Sequence, residues 1–212
     1  MNHKWLRCTV ATFVFVLFWS LGGAVPGIHA NQGREIARLA EAMHWGAGAI
    51  VADVGAGDGT YSIEAAERVG SSGRVYATEI DKEKLKILRA EVAKRKLDNV
   101  IIVDSAAGDT KLPSSCCDAI FLRHVYHHLT QPQDFDRNLV RSLKPGARLA
   151  VIDFPPSPNS ALVEGVPQTR GGHGIPEKVM VEELTSTGLQ VEKVIEDWSG
   201  RDYCVIFVKR SP

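Results

Sequence analysis

The sequence predicts an α/β fold: a doubly wound, mostly parallel sheet of seven strands with helices on both faces. Three observations carry this. Short apolar runs alternate with amphipathic stretches from residue 32 onward, the first run ends in a glycine-rich turn, and the last two runs are separated by only four residues. Parallel neighbours need crossover connections, which the alternation supplies. A tight turn joins only antiparallel strands, so the closing pair sets one strand against the grain.

The elements follow in order. Gln32 to Trp45 spaces Ile36, Leu39, Ala40 and Met43 as one helical face. Ala49 to Val54 is a short apolar run that reads as a buried strand, and Thr60 to Val69 as the helix after it. Arg74 to Ile80 is the second strand. Asp81 to Lys96 carries Leu85, Leu88, Val92 and Ala93 on one side and dense charge elsewhere, which predicts a surface helix. Val100 to Val103 and Asp118 to Leu122 are the third and fourth strands. Pro132 opens a helix to Leu143, because proline suits a first helical position, and Ala147 to Phe154 is the fifth strand, entered through Lys144-Pro145-Gly146. Pro176 to Thr187 is a helix closed by Gly188. Leu189 to Trp198 and Tyr203 to Lys209, joined by Ser199-Gly200-Arg201-Asp202, form the terminal hairpin. Between strand five and the last helix, Pro155 to Gly174 holds four prolines and four glycines. It is too long for a plain connector and follows a strand's carboxyl end, where open sheets bind ligands, so it is a candidate lid.

A chain of 212 residues has room for one ordinary domain. The first thirty residues stand apart from it. Lys4 and Arg7 precede a segment without a formally charged side chain from Cys8 to Gly33, densest in apolar residues at Val10 to Leu21. That is the pattern of an export signal, with Pro26 and Gly27 expected to break any helix and cleavage expected after Ala30. The run is also just long enough for an uncleaved anchor, with membrane attachment through residues 8–28 and the domain outside. Residues 31–212 are then the single domain, exported or anchored. Lys+Arg and Asp+Glu balance at 25 each, and loss of the leader leaves a slight acidic excess, so nucleic acid is not an expected partner. Cys116, Cys117 and Cys204 have no zinc-site spacing. Cys116-Cys117 reads as part of a polar turn entering a strand, the alternative being a vicinal disulfide.

Chemistry concentrates after the first two strands. Glycines at 55, 57 and 59 allow a tight turn and let a ligand approach the backbone, and the next helix aims its free N–H groups into the same crevice. The spacing is D-x-G-x-G-x-G, with the third glycine one place earlier than in a dinucleotide fingerprint, which tilts the loop away from a pyrophosphate. Glu79 ends the second strand, where a carboxylate can accept from ribose hydroxyls.

With these features the sequence resembles the class I S-adenosylmethionine-dependent methyltransferases over roughly residues 31–210. The motifs are Val51-Ala52-Asp53-Val54-Gly55-Ala56-Gly57-Asp58-Gly59-Thr60, Val75-Tyr76-Ala77-Thr78-Glu79-Ile80-Asp81, Leu112-Pro113 with Cys117-Asp118-Ala119-Ile120, and Leu143-Lys144-Pro145-Gly146. Val125-Tyr126-His127-His128-Leu129 is similar to the ubiquinone and menaquinone methyltransferase branch, which acts on small molecules. The resemblance implies the strand order 3-2-1-4-5-7-6 and S-adenosyl-L-methionine as cofactor. It further implies that Asp53, Gly55, Ala56, Gly57, Asp58 and Gly59 surround the methionine part while Glu79 holds the ribose. After the third strand the family's Gly-Asp-Ala triplet is replaced by Asp104-Ser105-Ala106-Ala107-Gly108-Asp109, so no residue is assigned to adenine.

Methyl transfer is mostly in-line positioning, with a base where the acceptor must lose a proton. Arg123, His124, Tyr126, His127 and His128 follow the fourth strand, and His124 and His127 are the candidates for a direct role. No acidic partner joins them at helical spacing, so no metal is expected. Asp153 and His173 are weaker candidates for the pocket. Two other classes share the pattern: a nicotinamide oxidoreductase, and a non-catalytic nucleoside-binding module, the latter because the cofactor is made in the cytosol while the leader directs export.

Overall fold

A computed structural model describes residues 26–157 and 161–211, with the side chains from 31 onward. The leader's apolar run and the proposed start of the signal lie outside the described residues. Seven strands form one sheet in the order β3-β2-β1-β4-β5-β7-β6. They are β1 (Ile50–Val54), β2 (Arg74–Glu79), β3 (Val100–Asp104), β4 (Cys117–Arg123), β5 (Leu143–Asp153), β6 (Gln190–Ser199) and β7 (Asp202–Val208). The pairs β1/β2, β2/β3, β1/β4 and β4/β5 are parallel, while β7 pairs antiparallel with both β5 and β6. The expected hairpin therefore inserts its second strand between β5 and β6.

The helices are α1 (Pro26–Ala42), α2 (Thr60–Val69), α3 (Lys82–Arg95), α4 (Pro132–Ser142) and α5 (Glu177–Thr185). Side chains alternate across a strand, so each central strand feeds both faces. Ala52, Ile120, Leu149, Val151 and Val205 meet Leu139 of α4 and Met180 and Leu184 of α5 on one side. Val51, Phe121, Ile152 and Ile206 meet Ile36 and Leu39 of α1, Met43 just after it, and Ala65 and Val69 of α2 on the other. The long α3 buries only Leu85 and Leu88, which explains its charge; Asp81 caps it by accepting from the N–H groups of Glu83 and Lys84.

Several boundaries depart from the sequence reading. Among the described residues helix α1 already includes Pro26 and Gly27, six residues before the expected Gln32, so this pair does not break it. It ends at Ala42, where His44 turns left-handed (φ 57°). Strand β5 begins at Leu143, absorbing the Lys144-Pro145-Gly146 turn: Leu143 pairs with Cys117, and the register shifts before Ala119. Helix α5 stops at Thr185, as the hydroxyls of Thr185, Ser186 and Thr187 take up the last carbonyls before Gly188. Cys116 and Cys117, expected as an unlinked polar turn, form a vicinal disulfide where the turn enters β4.

Candidate active site

The strand order reverses between β1 and β4, with β2 and β3 added on one side and β4 and β5 on the other, and a cavity of about 690 Å³ opens at the carboxyl ends of β2, β1 and β4. Its wall has three parts: Asp53–Gly57 from β1 and its loop, Thr78–Asp81 with Ser105–Gly108 after β2 and β3, and Arg123–Val125 with His128–Gln131 after β4.

The glycine loop is held to the end of β2. The N–H groups of Gly55 and Ala56 both donate to the Thr78 carbonyl, at 2.9 and 2.8 Å. The Gly57 N–H donates to Glu79 Oε2 at 2.8 Å, and Glu79 Oε1 accepts from the N–H groups of Ile80 (2.7 Å) and Asp81 (2.9 Å). Glu79 is therefore the keystone of both loops beside it. The glycines differ. Gly55 has φ +79°, and a Cβ there would meet Val125 Cγ2 at 2.4 Å; Gly57 has φ +60°, yet a Cβ would meet nothing within 4 Å, because that side faces the cavity.

Asp58 and Gly59, assigned above to the cofactor, stand outside the wall. Asp58 Oδ1 instead accepts from the Thr60 N–H and hydroxyl, which turns the chain into α2, and Gly59 is the residue capping that helix. Asp53 remains on the wall and buried, its Oδ2 accepting from the Ser62 hydroxyl at 2.6 Å. Burial pushes its carboxyl up to about 7, opposed by the Ser62 hydrogen bond and reinforced by the nearby charges of Glu79 and Asp58. Such a group gains from a cation placed beside it. In the segment where the family's acid is missing, Ser105–Gly108 line the cavity, while Asp104 is engaged by Lys82 Nζ at 2.6 Å.

The residues after β4 divide between wall and interior. His124 lies on the wall in a left-handed conformation (φ 56°), with Nε2 2.7 Å from Asp202 Oδ2 and Nδ1 3.2 Å from the Arg123 guanidinium. Arginine only donates, so Nδ1 accepts and Nε2–H donates, and both nitrogens are taken. His127, the other candidate, is not on the wall: it is 2% exposed, with Nδ1 2.8 Å from Asp153 Oδ1 and its N–H donating to Asp153 Oδ2. His128 takes the wall position, in a 3-10 turn (Tyr126–His128) where consecutive side chains point about 120° apart. Burial, then the neighbouring His127 imidazole, hold its basicity below the usual histidine range. Tyr126 is turned into the interior, donating to Asp136 Oδ2 at 2.9 Å.

A polar cluster anchored on α1, missed in reading the sequence, backs part of the cavity wall. Glu35 accepts from the Tyr61 hydroxyl (2.6 Å), Trp198 Nε1 (2.8 Å) and Arg123 Nε (3.0 Å), and Tyr61 and Arg123 both line the wall. Burial would raise the Glu35 carboxyl, but the Tyr61 and Trp198 hydrogen bonds and the Arg123 charge outweigh it and leave it lowered. The available signal was an acid next to the apolar stripe at Ile36 and Leu39. Trp198 and Tyr203 are buried, Tyr203 donating to the Ile175 carbonyl. The loop 155–174 contributes nothing to the cavity wall among its described residues; it is clamped by buried Arg170, which pairs with Glu183 and donates to the carbonyls of Leu129 and Tyr126.

Comparison with known proteins agrees with this geometry. A family model described as a methyltransferase domain matches residues 52–151, from β1 through β5. The ubiquinone/menaquinone biosynthesis C-methyltransferase UbiE of Azotobacter vinelandii is 32% identical over 114 residues, 53% of this chain and 45% of that protein. A demethylmenaquinone methyltransferase of Listeria monocytogenes is 29% identical over 126 residues, 59% of this chain and 52% of that protein. The match thus spans about half the length of these relatives. Among solved structures, a SAM-dependent methyltransferase from Aquifex aeolicus superposes with a TM-score of 0.69 at 28% identity, covering 82% of this chain and 88% of that one. The [4+2]-cyclase SpnF, at TM-score 0.68 and 16% identity over 85% and 81% of the two chains, shares the fold alone. Strand order, the D-x-G-x-G-x-G turn and the carboxylate ending β2 agree with these matches: residues 52–151 carry a methyltransferase domain, on the fold of the class I S-adenosylmethionine-dependent methyltransferases.

Proposed function

We propose that this protein transfers a methyl group from S-adenosylmethionine to a small-molecule acceptor bound against the wall formed after β4. The observation that carries the reading is the cradle at Gly57: a backbone N–H fixed by Glu79, a carboxylate beside it, and an open side where a Cβ would meet nothing. Asp53 suits the amino group of the methionine part and Glu79 a ribose hydroxyl, while Ser105–Gly108 form the wall nearest the expected adenine. When bound, the cofactor supplies a methyl group already activated on a sulfonium. The chain's part is then to orient the acceptor, keep water out and hold its proton.

His124 is better suited to positioning than to proton removal, since both ring nitrogens are occupied, and His128 presents at the wall an imidazole whose burial disfavours the protonated form. A small acceptor fits the size of the cavity and the absence of basic excess in the composition. Support for a quinol or phenol acceptor comes from the names of the relatives. The leader's composition supports export or anchoring of residues 31–212.

The test is turnover. Purified protein incubated with S-adenosylmethionine and a panel of quinone precursors and small phenols should release S-adenosylhomocysteine in step with methylated acceptor. Tight cofactor binding with no product from any small acceptor would favour the non-catalytic binding module.

A further inference from the structure

The two sides of the cavity are held by separate groups. On the cofactor side Glu79 and the Thr78 carbonyl fix the glycine loop. On the acceptor side the wall depends on the short turn Tyr126–His128, which presents His128 and leads into Leu129–Gln131. A single 3-10 turn has few bonds of its own. The His128 N–H donates to the Val125 carbonyl at 2.9 Å and the Leu129 N–H to the Tyr126 carbonyl at 3.2 Å. The Tyr126 hydroxyl ties the turn to α4 through Asp136. A second tie comes from Arg170, in the loop before α5 and 6% exposed. One edge of its guanidinium, Nε and Nη2, donates to the Glu183 carboxylate of α5 at 2.7 and 3.0 Å. The other edge, Nη1 and Nη2, donates to the carbonyls of Leu129 and Tyr126, the latter at 3.4 Å. These two carbonyls bracket His127 and His128. Apolar packing would fasten a loop at least as well as a buried ion pair. What the planar fork adds is direction, because its donors fix where both carbonyls, and the side chains between them, must lie.

We propose that Arg170, held by Glu183, is a positioning residue for the methyl acceptor: through the carbonyls of Tyr126 and Leu129 it sets His128 and Leu129 on the wall against which the acceptor lies. Arg170 does not line the cavity, so it acts through the turn and touches neither cofactor nor acceptor. A second contact of the same loop points the same way: a Cβ at Gly165 would lie 3.1 Å from Cγ2 of Thr130, another wall residue. The loop 155–174 thus governs the site from behind instead of covering it. What the wall binds rests on the methyltransferase reading, whereas the hold on the turn does not. The two sides of the cavity should then respond to substitution separately, since Arg170 has no contact with the glycine loop or Glu79.

NMR of the purified protein tests the hold on the turn without turnover. Arg170→Lys keeps a charge for Glu183 but cannot span both edges of the fork, and Glu183→Gln leaves the guanidinium without its counter-charge. Both variants should speed amide exchange of His128 and Leu129 about tenfold or more. Both should also shift the imidazole resonances of His128, which depend on its stacking against His127 at 4.0 Å between ring centres. Ile206→Ala, which opens a hole on the opposite face of the sheet and weakens the whole chain, should leave the His128 resonances in place. Unmoved resonances and unchanged exchange in both Arg170→Lys and Glu183→Gln overturn the proposal, as does an equal shift in Ile206→Ala. Calorimetry with S-adenosylmethionine accompanies each variant and should give affinities within twofold of wild type. A wild type that binds no S-adenosylmethionine would instead sink the methyltransferase reading, while the NMR still decides the turn. With hydroquinone or another phenol that turns over, kcat of Arg170→Lys should fall about 10-fold or more at that unchanged cofactor affinity, because the acceptor is held out of line. A folded Arg170→Lys with a displaced turn but wild-type kcat and KM would also overturn the proposal.

Discussion

Replacing Glu79 by alanine removes the group at which the cofactor loop and the ribose position meet, and the structure bounds the loss. A carboxylate offers about four lone-pair sites. Three are filled, by the N–H groups of Gly57, Ile80 and Asp81. One remains for a ligand hydroxyl, so the binding loss is that of a single charge-assisted hydrogen bond, about 1.5–3 kcal/mol. Converted, the dissociation constant for S-adenosylmethionine should rise about 10- to 150-fold. Stability should also fall by about 1–3 kcal/mol, because three backbone donors lose their acceptor even though cavity water can reach them. Calorimetric titration gives the first quantity and urea unfolding the second. Glu79→Gln should lie between, since its amide oxygen still accepts while its NH₂ faces donors. A folded Glu79→Ala protein with unchanged affinity would refute the assignment of this residue to the cofactor.

The remaining predictions test other parts of the account. Gly57→Ala should fold, losing about 1–2 kcal/mol for its left-handed backbone, yet bind S-adenosylmethionine at least ~10-fold more weakly because the new methyl enters the cavity. Gly55→Ala, which must also displace Val125, should lose more stability, and the reverse ranking in thermal melts would contradict the packing. Asp53 is held at about 7 against an unfolded value near ~3.9, so the folded state keeps a proton that the unfolded state has lost between these values. Stability should therefore be full below about pH 4 as far as this group is concerned and fall as pH rises toward 7, by a few kcal/mol at most, with Asp53→Asn flattening the curve. A cofactor ammonium favours the ionised form, so affinity should improve from pH 6 to 8, and a flat affinity profile would remove Asp53 from the amino-group site. In a Gram-negative host, fusing residues 1–35 to a reporter that works only outside the inner membrane should give activity, whereas a silent external reporter with an active cytosolic one would overturn export.

Much of the architecture was legible because the strands announce themselves. Runs such as Ala119–Leu122 and Ala150–Ile152 are buried on both faces and had to be central, and the turn at Gly200-Arg201 forces β6 and β7 to be antiparallel. The errors lie where local chemistry has two outcomes. Pro26-Gly27 can break a helix or lie within one, and Lys144-Pro145-Gly146 can be a turn or the edge of a bulged strand; only tertiary context chooses. At the site, the D-x-G-x-G-x-G pattern located the loop but did not distinguish glycines that face the cavity from those that turn the chain, which depends on Val125 and α2. The His127-His128 pair shows the same limit. Adjacent residues in one short turn point to different sides, and the sequence does not say which meets the cavity. Glu35, 88 residues from Arg123, becomes a neighbour only through the packing of α1 against the sheet.

The central claim is that the cavity between β1 and β4 is an S-adenosylmethionine site. Its most direct test is calorimetric titration of the purified protein, in parallel, with S-adenosylmethionine, S-adenosylhomocysteine and nicotinamide adenine dinucleotide. The account predicts that the first two saturate at one equivalent and compete with each other, while the dinucleotide gives no heat. Saturable binding of the dinucleotide, with none of either S-adenosyl ligand, would contradict it.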